Sequence, residues 1–438
     1  MVGIFSVMVE EKSLARNSLF NISYKGFNLL YPLITTIYIS RIFLADGVGE
    51  VAFAINIVTY FTLIASLGIP NYAVKVLAPV RNQVTILNKR FSELAVFILA
   101  SSLFATILYV ITSFVVFHSL NDIKIALVLA LVVISNVFNY DWLFESVEDY
   151  RYLAYRSIVV KLLALFLMFL LVKTREDILV YCMIYAGITL ANNIWNYVSS
   201  HHYVSLSTHN LNIRQHMVPV MTLFAAAFAT EIYTLLDSTM LGVMCTPEHL
   251  GYYSNASRVA RASFGMIFAI IAVFNPRLNY LYKSGSHEEY KTMFQRFYDI
   301  GMCIAFPVGA LLFVLAPQIM TVLFGEYFSE GIETLRLLSF LMAVFTMATV
   351  FGHIGLIIYG KERVLLYAAI MGAVVNFVLN QLLIPTYSHN GAAMASLISE
   401  ILVAILLVYT SLKFCRINLM NRKLLISIGI TIVLYTLG

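Results

Sequence analysis

Apolar residues in this chain come in long blocks, each close to the roughly 17 to 25 residues a helix needs to cross a bilayer. Short clusters of charge, proline or glycine separate them. These breaks predict thirteen spans, near 17–43, 48–77, 91–117, 123–144, 152–172, 178–206, 216–244, 250–280, 297–316, 335–359, 364–384, 391–413 and 423–438. The blocks fill the chain from near Asn17 onward, so the pattern predicts an all-α polytopic membrane protein and leaves no room for a soluble domain.

The connections are short, and the longest, "SSHHYVSLSTHNLNIRQH", follows six spans and precedes six more. That spacing predicts an N-terminal six-helix lobe over 1–206, a C-terminal six-helix lobe over 207–414 and one further span over 415–438. An internal echo agrees: "DGVGEVAFAINIV" and "EHLGYYSNASRVA" each open the second span of a lobe, with Gly49 and Gly251, then Ala54 and Ala256, in register. Internal repeats are common in transporters, with the substrate site at the repeat interface.

Composition supports the membrane class: 61% of the 438 residues are hydrophobic and 12% charged, against about 25% charged in an ordinary globular domain. With a cytoplasmic amino terminus, 19 of the 28 Lys and Arg fall on the cytoplasmic side, Arg156 among them, 5 on the opposite side and 4 within spans. This asymmetry follows the positive-inside rule. The net charge of +5 therefore reports orientation and contact with an anionic leaflet, and nucleic acid is excluded as a partner. The start, "MVGIFSVMVEEK", lacks a basic opening and runs into Glu10 and Glu11, so the first span is expected to be retained and not cleaved. Cys182, Cys245, Cys303 and Cys415 show no paired spacing and read as buried small apolar residues. Solvation is the expected state of His201, His202, His209 and His216 in the linker, and no metal site is expected there.

A charge at the bilayer centre costs about 2.5 to 3.5 kcal/mol on insertion scales, so each one is a functional candidate. The candidates are Lys25, Glu231, Asp237, Arg258, Arg261 and Glu400, while Asp141, Lys161 and Asp299 lie nearer span ends, within snorkelling reach. Spans seven and eight form a hairpin turning near "CTPEH", which sets Asp237 level with Arg258 and Glu231 level with Arg261. Two readings are open. Either these acids pair with the arginines, which the i,i+3 spacing puts on one helix face, or the face lines a water-filled cavity that meets a substrate or coupling ion. Lys25 has no acid at its level in spans one and two; it either snorkels or supplies charge to a site.

Catalysis finds no support. There is no "GxxxxGK[ST]" loop, and no large extracytoplasmic loop of the kind carried by envelope glycan polymerases and ligases. Most of the 27 Tyr and 31 Phe read as packing and interfacial residues.

Four stretches carry a resemblance: "SLARNSLFNISYKGFNLLYPLITTIYISRIFLADGVGEVAFA", "SLGIPNYAVKVLAPVRN", "DWLFESVEDYRYLAYRSIVVKLL" and "IYTLLDSTMLG" with "LGYYSNASRVAR". Together they make the chain similar to the Wzx-type polysaccharide-unit flippases of the multidrug/oligosaccharidyl-lipid/polysaccharide exporter superfamily. The sequence departs from the family pattern at Glu145 and Ser146, where Gln-Gly is frequent, and at Ala73 and Lys75, where Gly and Arg often stand. A thirteenth span also sits between the 12 and 14 common in the superfamily.

The resemblance implies two six-helix bundles around a central cavity that opens alternately to each side. The cargo it implies is an undecaprenyl-pyrophosphate-linked oligosaccharide, moved from the inner to the outer leaflet of the bacterial cytoplasmic membrane. Lys25, Lys75, Arg258 and Arg261 would hold the pyrophosphate and glycan. Glu231, Asp237, Asp299 and Glu400 would alternate between arginine and a proton or Na+, with no other cofactor. Membrane lipids, a polysaccharide polymerase and a chain-length regulator are the further partners implied. A lipid II flippase and a multidrug or cation antiporter of the same superfamily are the alternatives, the antiporter requiring a cavity dominated by acids.

Overall fold

A computed structural model of the chain describes residues 14–117, 119–207 and 211–437, with the backbone alone over Leu14–Lys25. Among the described residues there is no strand. The helices run α1 (Leu14–Ser66), α2 (Ile69–Leu77), α3 (Val84–Val116), α4 (Leu120–Ser135), α5 (Asp141–Ser146), α6 (Tyr150–Leu171), α7 (Ile178–Ser200) and α8 (Arg214–Met244). They continue as α9 (Pro247–Ala272), α10 (Asn275–Lys283), α11 (His287–Val314), α12 (Ala316–Gln318), α13 (Ile332–Ser339), α14 (Leu341–Met347), α15 (Glu362–Leu412) and α16 (Arg422–Leu437).

Ten helical stretches among the described residues are long and apolar enough to cross a membrane. Two helices, α1 of 53 residues and α15 of 51, would run to about 80 Å at 1.5 Å per residue, against a hydrocarbon core of about 30 Å. Each therefore holds two spans, and each is broken by one residue with non-helical backbone, Leu44 (φ 58°) in α1 and Ser388 (φ 47°) in α15. With those breaks counted, and α16 at the carboxyl end, the helices fall on the thirteen expected segments.

Two compact units form. The first holds the chain up to Pro32, Phe61–Lys173 and Leu179–Ala227; the second holds Leu33–Tyr60, Thr174–Ile178 and the chain from Phe228 onward. The boundary thus differs from a single cut at 206: residues 33–60, around the first turn, pack with the carboxyl-terminal half.

In the first unit, Ile69, Leu77, Leu94 and Leu143 are fully buried, and Phe91 packs edge-on to Tyr140 and tilted against Trp142, with ring centroids 5.0 and 5.4 Å away. Gly68, in the left-handed region at φ 69°, sits where a Cβ would come 2.6 Å from the Phe224 backbone nitrogen. The linker is tied back by Glu93, whose side chain accepts from the Asn212 backbone N–H at 2.7 Å and the Gln215 amide at 3.1 Å and bonds His216 at 2.8 Å. Tyr72 completes the network at 2.8 Å from the other His216 ring nitrogen. His216 is thus fully buried, contrary to the solvated state expected of it, because Glu93 and Tyr72 replace water; His201 and His202 are exposed, and His209 lies outside the described residues.

In the second unit the sequence echo becomes a physical contact. A Cβ on Gly49 would lie 1.7 Å from the Pro247 carbonyl oxygen, and one on Gly251 would lie 2.0 Å from the Ala45 carbonyl oxygen. Each glycine faces the residue four positions before the other, so the two repeats cross reciprocally, backbone against backbone. Asn255 donates to Ser40 at 2.8 Å, Tyr60 and Thr239 share a hydrogen bond of 2.8 Å, and Arg41 donates to the Leu323 carbonyl at 3.3 Å. Residues 33–60 join the carboxyl-terminal half because only glycine permits this approach.

Gly49→Ala and Gly251→Ala are each expected to destabilise the protein by about 2 kcal/mol or more, since neither opposing backbone can retreat as a side chain would. Gly187→Ala, in helical backbone with nothing near its added carbon, is expected to be neutral or stabilising by up to about 1 kcal/mol. Thermal melting of the purified protein compares the three.

Candidate functional site

Asp237, on α8, is buried and receives four donors. Asn376 and Asn380, one turn apart on the first half of α15, donate to Oδ1 at 2.9 and 2.7 Å. Tyr253 from α9 donates to Oδ2 at 2.6 Å, and Ser396, from the second half of α15, also donates to Oδ2. Three helices supply the donors and the acid, offsetting the desolvation that an isolated buried carboxylate would suffer. The Asn380 amide also donates to Asn376 Oδ1 at 3.1 Å, fixing the pair of carboxamides relative to each other.

This cluster opens on a cavity of about 250 Å3. Glu400 lines it one turn beyond Ser396, and Arg261 lines it from α9, near enough for electrostatic attraction between the two. Tyr233, Phe264, Leu338, Leu341 and Phe345 form its apolar wall. Arg261 is held by Ser257 at 3.2 Å from Nε and by the Thr234 carbonyl at 2.8 Å from Nη2. The cavity therefore carries two acids, Asp237 and Glu400, against one arginine, a balance suited to a small cation.

The depth matching of the hairpin is realised differently from the two expected pairs. Asp237 takes neutral donors in place of Arg258, whose Nη1 donates to Thr36 near the first turn. Glu231 is half-buried and outside the cavity lining, so the acid beside Arg261 is Glu400, four spans further along the chain. Helix rotation is set by packing partners far along the chain.

The other candidates are dispersed. Asp299 does not reach this cavity. Its Oδ1 accepts from Gln295 at 2.8 Å and Asn421 at 2.6 Å, which fastens the connection leading into α16. Lys75 is exposed in the last turn of α2, where a cation complements the helix dipole. Lys25 lies on α1, where only the backbone is described.

Sequence reasoning passed over Asn376, Asn380, Ser396 and Tyr253. The signal was present in "NFVLN", two carboxamides at i,i+4 inside an apolar run. Arg156, counted among the interfacial cations, is 1% exposed and bonds Asp141 at 2.6 Å.

The family profile for polysaccharide biosynthesis proteins matches residues 14–281, well over half the chain. The chain belongs to that family. A Shigella dysenteriae protein named as an O-antigen transporter is 25% identical over 389 residues, covering 87% of this chain and 95% of its own length. Among solved structures, the lipid II flippase MurJ in an inward closed conformation matches with a TM-score of 0.67 at 16% identity, over 96% of this chain and 97% of its own. An inward-facing multidrug resistance MATE transporter of the MOP superfamily matches at 0.65 with 15% identity, over 88% and 94%. This polysaccharide biosynthesis protein shares its fold with those transporters.

Asp237→Ala removes the acceptor for four donors at once and is expected to lower stability by about 3 kcal/mol or more, whereas Asp237→Asn keeps one oxygen and is expected to cost less. Equal melting temperatures for the two variants would contradict the network.

Proposed function

We propose that the chain flips lipid-linked oligosaccharides across the bacterial cytoplasmic membrane for cell-surface polysaccharide synthesis, with the undecaprenyl-pyrophosphate-linked repeat unit as substrate and alternating access as the route. Membership of the polysaccharide biosynthesis family and likeness over most of the chain to a protein named for O-antigen transport support this reading. The single structural observation that carries it is the polar cavity of the second unit, in which Asp237, Glu400 and Arg261 are assembled inside an apolar helical bundle. A charge placed within a membrane span is costly and is a functional candidate by default, and this cavity gathers three.

Within this reading the two acids take the coupling ion, a proton or Na+, and Arg261 is the counter-charge that the ion relieves. When Glu400 is neutralised, Arg261 loses its attraction and is released toward an anionic oxygen of the substrate, for which its fork of donors is suited. The lipid tail stays in the hydrocarbon throughout, so only the headgroup needs a polar path.

The excess of acid in this cavity also favours a second reading, a cation or drug antiporter of the same superfamily. Gene deletion in the source bacterium separates the two. The flippase reading expects lipid-linked oligosaccharide to accumulate on the cytoplasmic side, with export restored by the wild-type gene and reduced at least tenfold by Glu400→Gln or Arg261→Ala at equal protein levels. Unchanged lipid-linked intermediates with altered tolerance to cationic drugs would replace it with the antiporter.

A further inference from the structure

The stretch "DWLFESVEDYRYLAYRSIVVKLL" has no part in the cavity just described, yet it builds a second one within the first unit. Asp141 opens α5, while Arg156 and Lys161 lie on α6, and all three line a cavity of about 260 Å3. Asp141 Oδ1 takes Arg156 Nη2 at 2.6 Å and the Asn196 amide at 2.7 Å. Lys161 donates to Asn28 Oδ1, which also accepts from Ser157 at 3.2 Å, and its ammonium sits 5.4 Å from the centre of the Tyr31 ring.

The charge ledger of this cavity is opposite to that of the other. Two cations face one acid, and Arg156 is 1% exposed with Nε and Nη1 lacking any hydrogen-bond partner among the described residues. A guanidinium cut off from bulk water with two of its three nitrogens unpaired is a costly arrangement. Donors and positive charge are in surplus while acceptors are short, and that is the electrostatic and hydrogen-bonding complement of an oxyanion.

We infer that the first-unit cavity is a binding site for a phosphate or carboxylate group, held between Arg156 and Lys161. Arg156 Nε and Nη1 donate to its oxygens, Lys161 supplies the second positive charge, and Asp141 keeps the guanidinium in place while competing with the ligand for it. Asn28 positions Lys161. Such a group can come from a lipid-borne pyrophosphate or from a free anion; the chemistry of the site is the same for both. The inference does not depend on the flippase reading, because anion binding is measured on purified protein without transport.

The test uses the full chain in phosphatidylcholine nanodiscs, its thermal midpoint followed during titration with inorganic pyrophosphate and, separately, farnesyl pyrophosphate, each against sodium chloride at matched ionic strength. A saturable rise of a few degrees is expected. Lys161→Met, which leaves the Asp141–Arg156 pair intact, is expected to raise the half-saturating concentration at least tenfold, and Lys161→Arg to restore it. Asp141→Asn removes the competing acid and is expected to lower that concentration, an effect that a merely structural role for the pair would not produce. Lys283→Ala, at an exposed cation in the last turn of α10, is expected to leave the titration unchanged. Stabilisation by both probes points to a free-anion site and by the prenyl probe alone to the lipid-borne group, either of which supports the inference. Absence of a saturable rise with both probes, or equal titrations for wild type and Lys161→Met, would overturn it.

Discussion

A carboxylate that enters an apolar helical bundle without donors costs several kcal/mol, and this constraint organises much of the fold. Four acids each collect their own set: Glu93 binds the linker, Asp141 binds Arg156 and Asn196, Asp237 gathers two asparagines, a serine and a tyrosine, and Asp299 holds the connection before α16. Because the partners come from helices distant in sequence, each acid fixes how those helices rotate against one another. Two of the four, Glu93 and Asp299, tie connecting segments down, and the other two line cavities.

The two cavities differ in sign. That of the first unit holds Arg156 and Lys161 against Asp141; that of the second holds Asp237 and Glu400 against Arg261. The second unit adds a reciprocal crossing of its repeats at Gly49 and Gly251, where carbonyls of Pro247 and Ala45 occupy the space of a side chain. A contact with no side chain between the helices is held by geometry alone, which makes it sensitive to a single methyl group.

Much of the fold was legible because the bilayer imposes a length on apolar blocks: the spans, the turns at Leu44 and Ser388 and the family all followed from hydropathy and short motifs. Rotation was not. The periodicity of α8 is nearly featureless around the helix, so nothing local indicated that Asp237 would face Asn376 and Asn380 instead of Arg258, or that Glu400 would be the acid beside Arg261. The burial of Arg156, which the sequence reading counted only by membrane side, had no local sign for a related reason: the packing of α5 and α7 against α6 encloses it.

The central claim is that these cavity-lining charges serve the passage of a lipid-linked oligosaccharide. Its most direct measurement is translocation in proteoliposomes: purified protein, a labelled undecaprenyl-pyrophosphate-linked oligosaccharide in one leaflet, and a membrane-impermeant glycosidase to report its arrival in the other. The account expects transfer that requires the protein and responds to an imposed proton or Na+ gradient. No transfer above protein-free vesicles, in protein that carries a cationic drug against the same gradient, would contradict it.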